Sequence, residues 1–304
     1  MSGVAETGVL EQAVAEYGAR VPNKPRKRWS RFILPSYTAL LILYLMFPIF
    51  VMVLYSFNDT DVGFGTSPRV KTEWLGFTTA WYKQIFDIPD LTTALQHSIL
   101  IAFVSAAVAT GIGTFLGIAL GRYRYRGKTS TDFVLFLNIS APEIALGVAL
   151  ASFYVSIGLD RDLITVFLSH VMFSIPFVAV TVRARVQGLD RALENAAMDL
   201  FANPLTTFFK VTLPLILPGI LAGFGLAFAL SIDDFVITNF VQGPYKMFPT
   251  FVYGASRVGI PPQAFVMATV IFVAGVSFAG ISLVASRRRG DQRTAGIAGG
   301  ANGG

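Results

Sequence analysis

Long stretches without Lys, Arg, Asp or Glu dominate the hydrophobic pattern of this chain. A helix needs roughly 20 apolar residues to cross about 30 Å of hydrocarbon, and each stretch reaches that length. The pattern therefore predicts six membrane-spanning helices. They cover residues 32–57, 94–120, 133–159, 163–182, 211–232 and 259–286, and Glu143 interrupts the third.

Composition supports this interpretation and excludes most soluble classes. Of the 304 residues, 54% are hydrophobic and only 14% are charged, whereas soluble domains carry about 25% charged residues. The chain has no cysteine, which excludes disulfides and thiolate metal sites. His97 and His170 lie on different predicted helices, so a zinc site is not expected. The first apolar stretch is longer than a signal-peptide core, so we expect it to remain as a helix.

The basic residues predict the orientation in the membrane. Six spans place both termini on one side, and that side carries 18 of the 24 Lys and Arg residues, against 6 on the other. Because basic residues concentrate in cytoplasmic segments, both termini are predicted to be cytoplasmic. The net charge of +6 then reflects topology and not a nucleic-acid partner.

The segments outside the spans complete the predicted organisation. Residues 1–31 form a cytoplasmic arm with a short helix near 10–17, residues 32–286 form the transmembrane domain, and the Gly- and Ala-rich tail 287–304 should be disordered. An outer segment, 58–93, carries aromatic residues that could form a docking face or interfacial anchors. Glycines at four-residue spacing, which allow helix backbones to approach closely, are Gly113, Gly117, Gly121, Gly219 and Gly223.

Acidic residues inside or at the edge of the spans point to the substrate. An ionised group is costly there and normally faces a cavity or a partner. No basic residue in the spans matches these acids, which suits a cation pathway with aromatic walls. Alternatively, Glu143 could be a protonated, hydrogen-bonded group, and an acid of the pair could bind an arginine of a partner protein. The candidate pathway residues are Asp233, Asp234, Glu143, His170, Phe235 and Tyr154, with Phe240 as a further wall.

The inner loop, residues 183–213, contains a short segment with helical periodicity. Apolar residues at three- and four-residue spacing predict a helix over 193–201. Asn203-Pro204 stops it, because the residue before proline avoids helical geometry. A short helix between two spans could act as a lever that a partner pushes, or it could lie on the lipid surface.

Several sequence blocks resemble one transporter family. Ala196-Ala197, position 201 and then Val211-Thr212-Leu213-Pro214 resemble the coupling motif of importer-type ABC-transporter permeases. Finer features are similar to the spermidine/putrescine permeases, and the likeness extends over about 32–286. These features are Ala-Pro-Glu-Ile-Ala-Leu-Gly at 141–147, Ser-His-Val-Met-Phe-Ser-Ile-Pro-Phe-Val at 169–178, Ser-Ile-Asp-Asp-Phe-Val-Ile-Thr at 231–238, and Gly-Pro at 243–244.

The resemblance implies a division of labour. This chain would be an importer-type ABC permease, and not an enzyme, in the bacterial inner membrane. With a second permease it would form the pathway for a polyamine such as spermidine or putrescine. Two copies of a cytoplasmic ATPase would carry ATP and Mg, an extracytoplasmic binding protein would deliver substrate, and this chain would need no cofactor. The implied ATPase-coupling residues are Glu194, Asn195, Ala196, Ala197, Asp199, Leu200, Phe201, Leu213 and Pro214.

Two positions depart from the family pattern. Asn195 stands where the family usually has Glu, with Glu194 one place earlier, and Phe201 stands where it usually has Gly. Because Phe disfavours a positive backbone angle, we expect a differently shaped turn or one continuous helix.

Other functions compete with a polyamine permease. The substrate could be another organic cation. An ion-coupled secondary transporter could use Glu143, Asp233 and Asp234, although no internal repeat is evident. A membrane enzyme would need a paired nucleophile and base, which the sequence does not show.

Overall fold

A computed structural model of the protein describes residues 30–59, 74–257, 259–277 and 280. This part of the chain is helical, and its one β-type pairing is an isolated bridge between Asn58 and Phe77. Several sequence predictions lie outside the described residues. They are residues 1–29 of the arm with its helix, most of the end of the last span, the tail 287–304 and residues 60–73 of the outer segment 58–93.

The chain divides into two compact units, Met1–Leu54 and Tyr55–Gly304. The described part of the first unit is helix α1 (Ser30–Tyr55) without its last residue. In the second unit, a five-residue π-helical segment, Phe208–Thr212, joins α8 to α9. The helices of the second unit are α2 (Ala80–Lys83), α3 (Pro89–Arg122), α4 (Lys128–Ser140), α5 (Glu143–Ser156), α6 (Leu163–Gln187), α7 (Ala192–Asp199), α8 (Pro204–Thr207), α9 (Leu213–Asp233), α10 (Val236–Val241), α11 (Phe248–Ser256) and α12 (Pro262–Ser277).

Four described segments are long and apolar enough to cross a membrane, and a bent helix pair adds a fifth. The all-helical membrane fold is therefore confirmed. The sixth predicted span, 259–286, includes α12, whose described residues are too few for a full crossing, so the number six stays a prediction. The four segments are Phe32–Tyr55, Pro89–Arg122, Leu163–Gln187 and Pro204–Asp233.

The third predicted span is wrong as a single helix. It consists of α4 and α5, which meet at an angle of 104°. The cause is Pro142, which pushes Ala141 into extended geometry (φ −66°, ψ 135°) and has no N–H to continue the helix. Glu143 therefore begins α5 and does not lie in the middle of a long helix.

Helices α3, α6 and α9 form the centre of the second unit, and glycines set their spacing. A Cβ added at Gly113 would lie 2.7 Å from the Cβ of Val178, and one at Gly223 would lie 3.1 Å from a methyl group of the same valine. At Gly117 the added atom would lie 2.7 Å from the backbone oxygen of Ala179. The prediction that these glycines serve close helix packing is confirmed.

Candidate functional site

The two neighbouring acids lie where α9 ends and α10 begins, and the structure separates their roles. Asp233 is the last residue of α9, and Asp234 leaves helical geometry with ψ at 114°. The Asp234 carboxylate accepts hydrogen bonds from the backbone N–H of Ile237 (3.3 Å) and Thr238 (2.8 Å) and from the Thr238 hydroxyl (2.7 Å). It therefore satisfies the free N–H groups in the first turn of α10, as a helix cap does.

A buried polar chain, here called the His170 network, links Asp234 to side chains of four helices. His170 Nε2 lies 3.3 Å from Asp234 Oδ2 and 2.9 Å from Thr238 Oγ1. Its Nδ1 lies 2.6 Å from Ser231 Oγ, which in turn is 3.1 Å from Ser105 Oγ. The side chains of His170 and Asp234 are only 1% and 6% exposed. The network joins α3, α6, α9 and α10, and buried polar groups need such partners.

The prediction that no basic group matches the acids is therefore wrong for Asp234, because His170 lies against it. Asp233 differs, since its side chain is exposed. Among the residues that the structure describes, Asp233 takes part in no ion pair or side-chain hydrogen bond.

The other predicted pathway residues occupy three separate places. Phe235 contacts Tyr253 with ring centroids 4.5 Å apart. Tyr154 is buried in the core, and its hydroxyl lies 3.0 Å from Ser169 Oγ. Glu143 is exposed at the start of α5 and has no ion pair within the described ranges. The structure thus brings His170 and Asp234 together but does not join Glu143 or Tyr154 to them.

Two further aromatic residues, Phe240 and Tyr253, make defined contacts within the chain. The Phe240 ring packs over Gly147, where it would lie 2.7 Å from an added Cβ, so α5 and α10 are in close contact. Tyr253 already holds a cation: the Arg257 guanidinium lies 5.0 Å from the centre of its ring and donates a hydrogen bond of 2.7 Å to its hydroxyl. The sequence did not single out Tyr253.

The inner loop contains two helices joined by a hydrogen-bonded turn. The Phe201 N–H donates to the Met198 carbonyl (2.9 Å), and the Ala202 N–H donates to the Ala197 carbonyl (3.1 Å). These two bonds form a Schellman motif, which needs left-handed geometry at its C′ residue. That residue is Phe201, with φ at 64°. The expectation of one continuous helix is therefore wrong, and Phe201 adopts the positive φ that its Cβ disfavours; a turn shaped differently from that of the family stays a prediction.

The end of α7 and the start of α8 present an apolar surface, here called the inner apolar tip: Leu200, Phe201 and Leu205. Their exposed fractions are 81%, 99% and 70%. Asn203 begins α8 by accepting a hydrogen bond from the Thr206 N–H (2.7 Å). Of the remaining predicted coupling residues, Ala197 and Leu213 are half-buried, and the exposed ones are Asn195, Ala196, Asp199 and Pro214.

Glu194, also a predicted coupling residue, turns towards its own chain. Its Oε1 accepts hydrogen bonds from Arg122 (3.1 Å) and from the Thr212 hydroxyl (2.8 Å). These bonds connect α7 to the C-terminal end of α3 and to the segment that leads into α9. We call this set the Glu194 clamp.

Several residues of these networks were missed at the level of sequence. Ser231 and Thr238 lie three positions before and four positions after Asp234, but the chain leaves helical geometry at Asp234, so helical spacing does not predict that they share a network. Ser105, Arg122 and Thr212 carry no sequence signal either, because they come from distant parts of the chain. No cluster of three metal-binding side chains occurs in the described part of the chain.

The fold and these sites define a class: a helical membrane protein of several spans with a short helix pair between two of them. Comparisons then place the chain in a family. Residues 113–290 match the family described as binding-protein-dependent transport system inner membrane component. The chain belongs to this family of transport permeases, and it is a multi-pass protein of the bacterial inner membrane.

Known relatives share much of the chain. It is 37% identical over 231 residues to the spermidine/putrescine transport system permease protein PotC of Escherichia coli (strain K12). This match covers 76% of this chain and 84% of the relative. The Haemophilus influenzae PotC is 34% identical over 261 residues, or 85% and 98% of the two chains. The putrescine transport system permease protein PotI of Escherichia coli (strain K12) is 36% identical over 236 residues, or 75% and 81%.

Solved structures show the same fold at lower sequence identity. A bacterial ABC transporter that imports the acidic polysaccharide alginate matches with a TM-score of 0.60 and 16% identity, over 84% of this chain and 96% of that chain. The MetNI methionine ABC transporter in an inward-facing conformation matches with a TM-score of 0.56 and 21% identity, over 65% and 95%. The importer-permease fold predicted from the sequence is therefore confirmed.

Proposed function

We propose that this chain is a permease subunit of an ATP-driven importer that carries a polyamine such as spermidine or putrescine into the cell. The observation that carries the proposal is the 34–37% identity to permeases named for spermidine/putrescine or putrescine transport, over at least 75% of this chain. The chain would form the pathway with a second permease. An extracytoplasmic binding protein would deliver the substrate, and two copies of a cytoplasmic ATPase would supply the energy.

The proposed topology has six spans with both termini in the cytoplasm. The distribution of basic residues supports this orientation, and α12 would belong to the sixth span. The α7–α8 pair then faces the cytoplasm, and the α9–α10 junction lies towards the outer side.

Asp233 is the proposed first contact for an ammonium group of the substrate. It is exposed at the C-terminal end of α9, where the helix dipole favours cations. Phe235, two residues further along the chain, provides an aromatic face for a second ammonium group, whereas the Tyr253 ring is already occupied by Arg257. Asp234 and His170 would stabilise the α9–α10 junction. Glu143 would contact the substrate at a different position along the pathway.

The inner loop is the proposed ATPase-coupling element. Its inner apolar tip is exposed to the cytoplasmic side, and the Glu194 clamp connects α7 to α3 and to the start of α9. A partner that pushes α7 would therefore move both spans, which is what coupling to ATP hydrolysis requires.

Uptake of labelled spermidine and putrescine into vesicles that contain the complete transporter tests the pathway. We expect uptake that depends on ATP and on the binding protein, and we expect Asp233→Asn to lower it at least tenfold. Asp160→Asn, which removes an exposed acid from the loop between α5 and α6, is the matched control. Uptake driven by an ion gradient without ATP would favour the secondary transporter instead.

Site-specific crosslinking tests the coupling element. Since the chain has no cysteine of its own, single cysteines at Leu200 and at Ala197 report on these positions alone. Both should crosslink to the ATPase in an active complex, and the more exposed position 200 should do so faster. An active complex without any crosslink from either position would contradict the assignment.

A further inference from the structure

Phe201 combines a residue type and a backbone geometry that rarely occur together. Its φ of 64° makes it the one residue other than glycine with a positive φ in the described part of the chain. The Schellman motif at the end of α7 requires this geometry, and glycine fills such positions most often because it lacks a Cβ. Phenylalanine therefore strains a turn that glycine would form freely.

No contact of the phenyl ring within the chain offsets this backbone strain. With 99% of its surface exposed, it shields no neighbouring side chain and buries none of its own apolar area. Leu200 beside it is 81% exposed. Because backbone strain persists where function requires it, the benefit of the ring must come from a molecule outside this chain.

We propose that the Phe201 ring inserts into an apolar pocket on the cytoplasmic ATPase and selects the ATPase that fits this permease. The inference rests on the proposed function and adds the residue that anchors the contact. A projecting aromatic ring at the centre of an exposed apolar surface has the character of a binding hot spot. Lipid is the poorer occupant, since the exposed carboxylate of Asp199, two positions before the ring, would face anionic headgroups of the inner leaflet.

Variants at position 201 separate the ring from the backbone. Phe201→Gly removes the ring and relieves the strain, Phe201→Ala removes the ring but keeps the Cβ, and Phe201→Trp keeps an aromatic ring. The measurement is a titration of the ATPase onto the permease pair held in lipid nanodiscs. We expect the glycine and alanine variants to weaken ATPase binding at least tenfold, in the range of hot-spot losses, and the tryptophan variant to bind within about threefold of the wild type.

The matched control is Tyr123→Ala. It removes an exposed aromatic ring from the neighbouring inner loop, which is outside the coupling segment, and it should leave ATPase binding unchanged. Tyr123 is 63% exposed. A photo-crosslinking amino acid at position 201 should label the ATPase.

Three results would overturn the inference: ATPase binding by Phe201→Gly as tight as the wild type, lower thermal stability of the Phe201→Gly permease without ATPase, or labelling of lipid or of the second permease from position 201. A separate experiment tests whether Phe201 selects the ATPase. An ATPase whose own permease has glycine here should bind Phe201→Gly more tightly than the wild type, and equal binding would contradict selection.

The failure of this inference can be told apart from failure of the proposed function. If wild-type complexes bind the ATPase and import polyamine while Phe201→Gly does both equally well, only the role of the ring is lost. If the wild-type permease pair binds no ATPase at all, the result contradicts both the proposed function and the proposed role of Phe201.

Discussion

The α9–α10 junction and the α7–α8 turn are both places where a helix stops and the chain changes direction, and they are stabilised in opposite ways. At the first, the carboxylate of Asp234 is buried, lies 3.3 Å from His170 Nε2, and receives hydrogen bonds from the Thr238 hydroxyl and the backbone of α10. At the second, the backbone is hydrogen-bonded, but the side chain of Phe201 is exposed and its φ is unfavourable. The polar groups of the first junction are satisfied within the chain, whereas the second leaves an exposed aromatic ring for which we propose a partner.

The largest expected effect concerns the first junction. Asp234→Ala should lower the free energy of unfolding by about 3–5 kcal/mol, because removing one member of a buried pair leaves the other uncompensated. Asp233→Ala should change it by less than about 0.5 kcal/mol, as expected for an exposed site. Denaturant titrations in detergent, followed by circular dichroism, compare the two. Equal losses would show that the two acids are not divided into a structural and an exposed one.

The second prediction concerns the interaction energy between His170 and Asp234. In a double-mutant cycle of His170→Ala and Asp234→Ala, the combined loss of stability should be smaller than the sum of the single losses by about 1–3 kcal/mol. The control cycle, His170→Ala with Asp233→Ala, should be additive within about 0.5 kcal/mol. Additivity in both cycles would mean that the contact between His170 and Asp234 contributes nothing specific.

A third prediction concerns the Glu194 clamp, which belongs structurally to the inner loop but resembles the first junction in having internal partners. Glu194→Gln keeps an acceptor for Thr212 and loses the charge that faces Arg122. Since this pair is partly exposed, at 11% and 23% for the two side chains, the loss of stability should be about 1 kcal/mol. Asp199→Asn on the same helix is the control and should be close to neutral.

The smallest effect is expected at Phe201 and has the opposite sign. Left-handed geometry costs a residue with a Cβ roughly 1–2 kcal/mol, and the greater freedom of glycine in the unfolded chain offsets up to about 1 kcal/mol of this. Phe201→Gly should therefore stabilise the isolated permease by about 0.5 kcal/mol, visible as a higher thermal midpoint. A lower midpoint would show that the ring does stabilise its own chain, and the contrast between the two regions would disappear.

Much of the fold was predictable because it depends on local pattern. Uncharged stretches located the spans, and glycines at four-residue spacing located the closest helix contacts. Pro142 also carried the signal for the bend between α4 and α5, although the apolar pattern on both sides concealed it. These features depend on residues close together in the sequence.

The site was less predictable because it depends on contacts between distant residues. Asp233 and Asp234 are equivalent as a sequence pattern, and only the exit of the chain from α9 turns one carboxylate inwards. The partners of Glu194 include Arg122, which is 72 positions away. At Phe201 the local preference of the residue was overruled by the Schellman bonds and by the start of α8 at Asn203 and Pro204.

Val178 has a wider consequence for how the molecule moves. Its side chain fills the space left by Gly113 of α3 on one side and by Gly223 of α9 on the other. This close fit opposes sliding of α3 or α9 along α6 at this level. A change in the packing of these helices would therefore need a tilt or separation that lifts α3 or α9 off Val178.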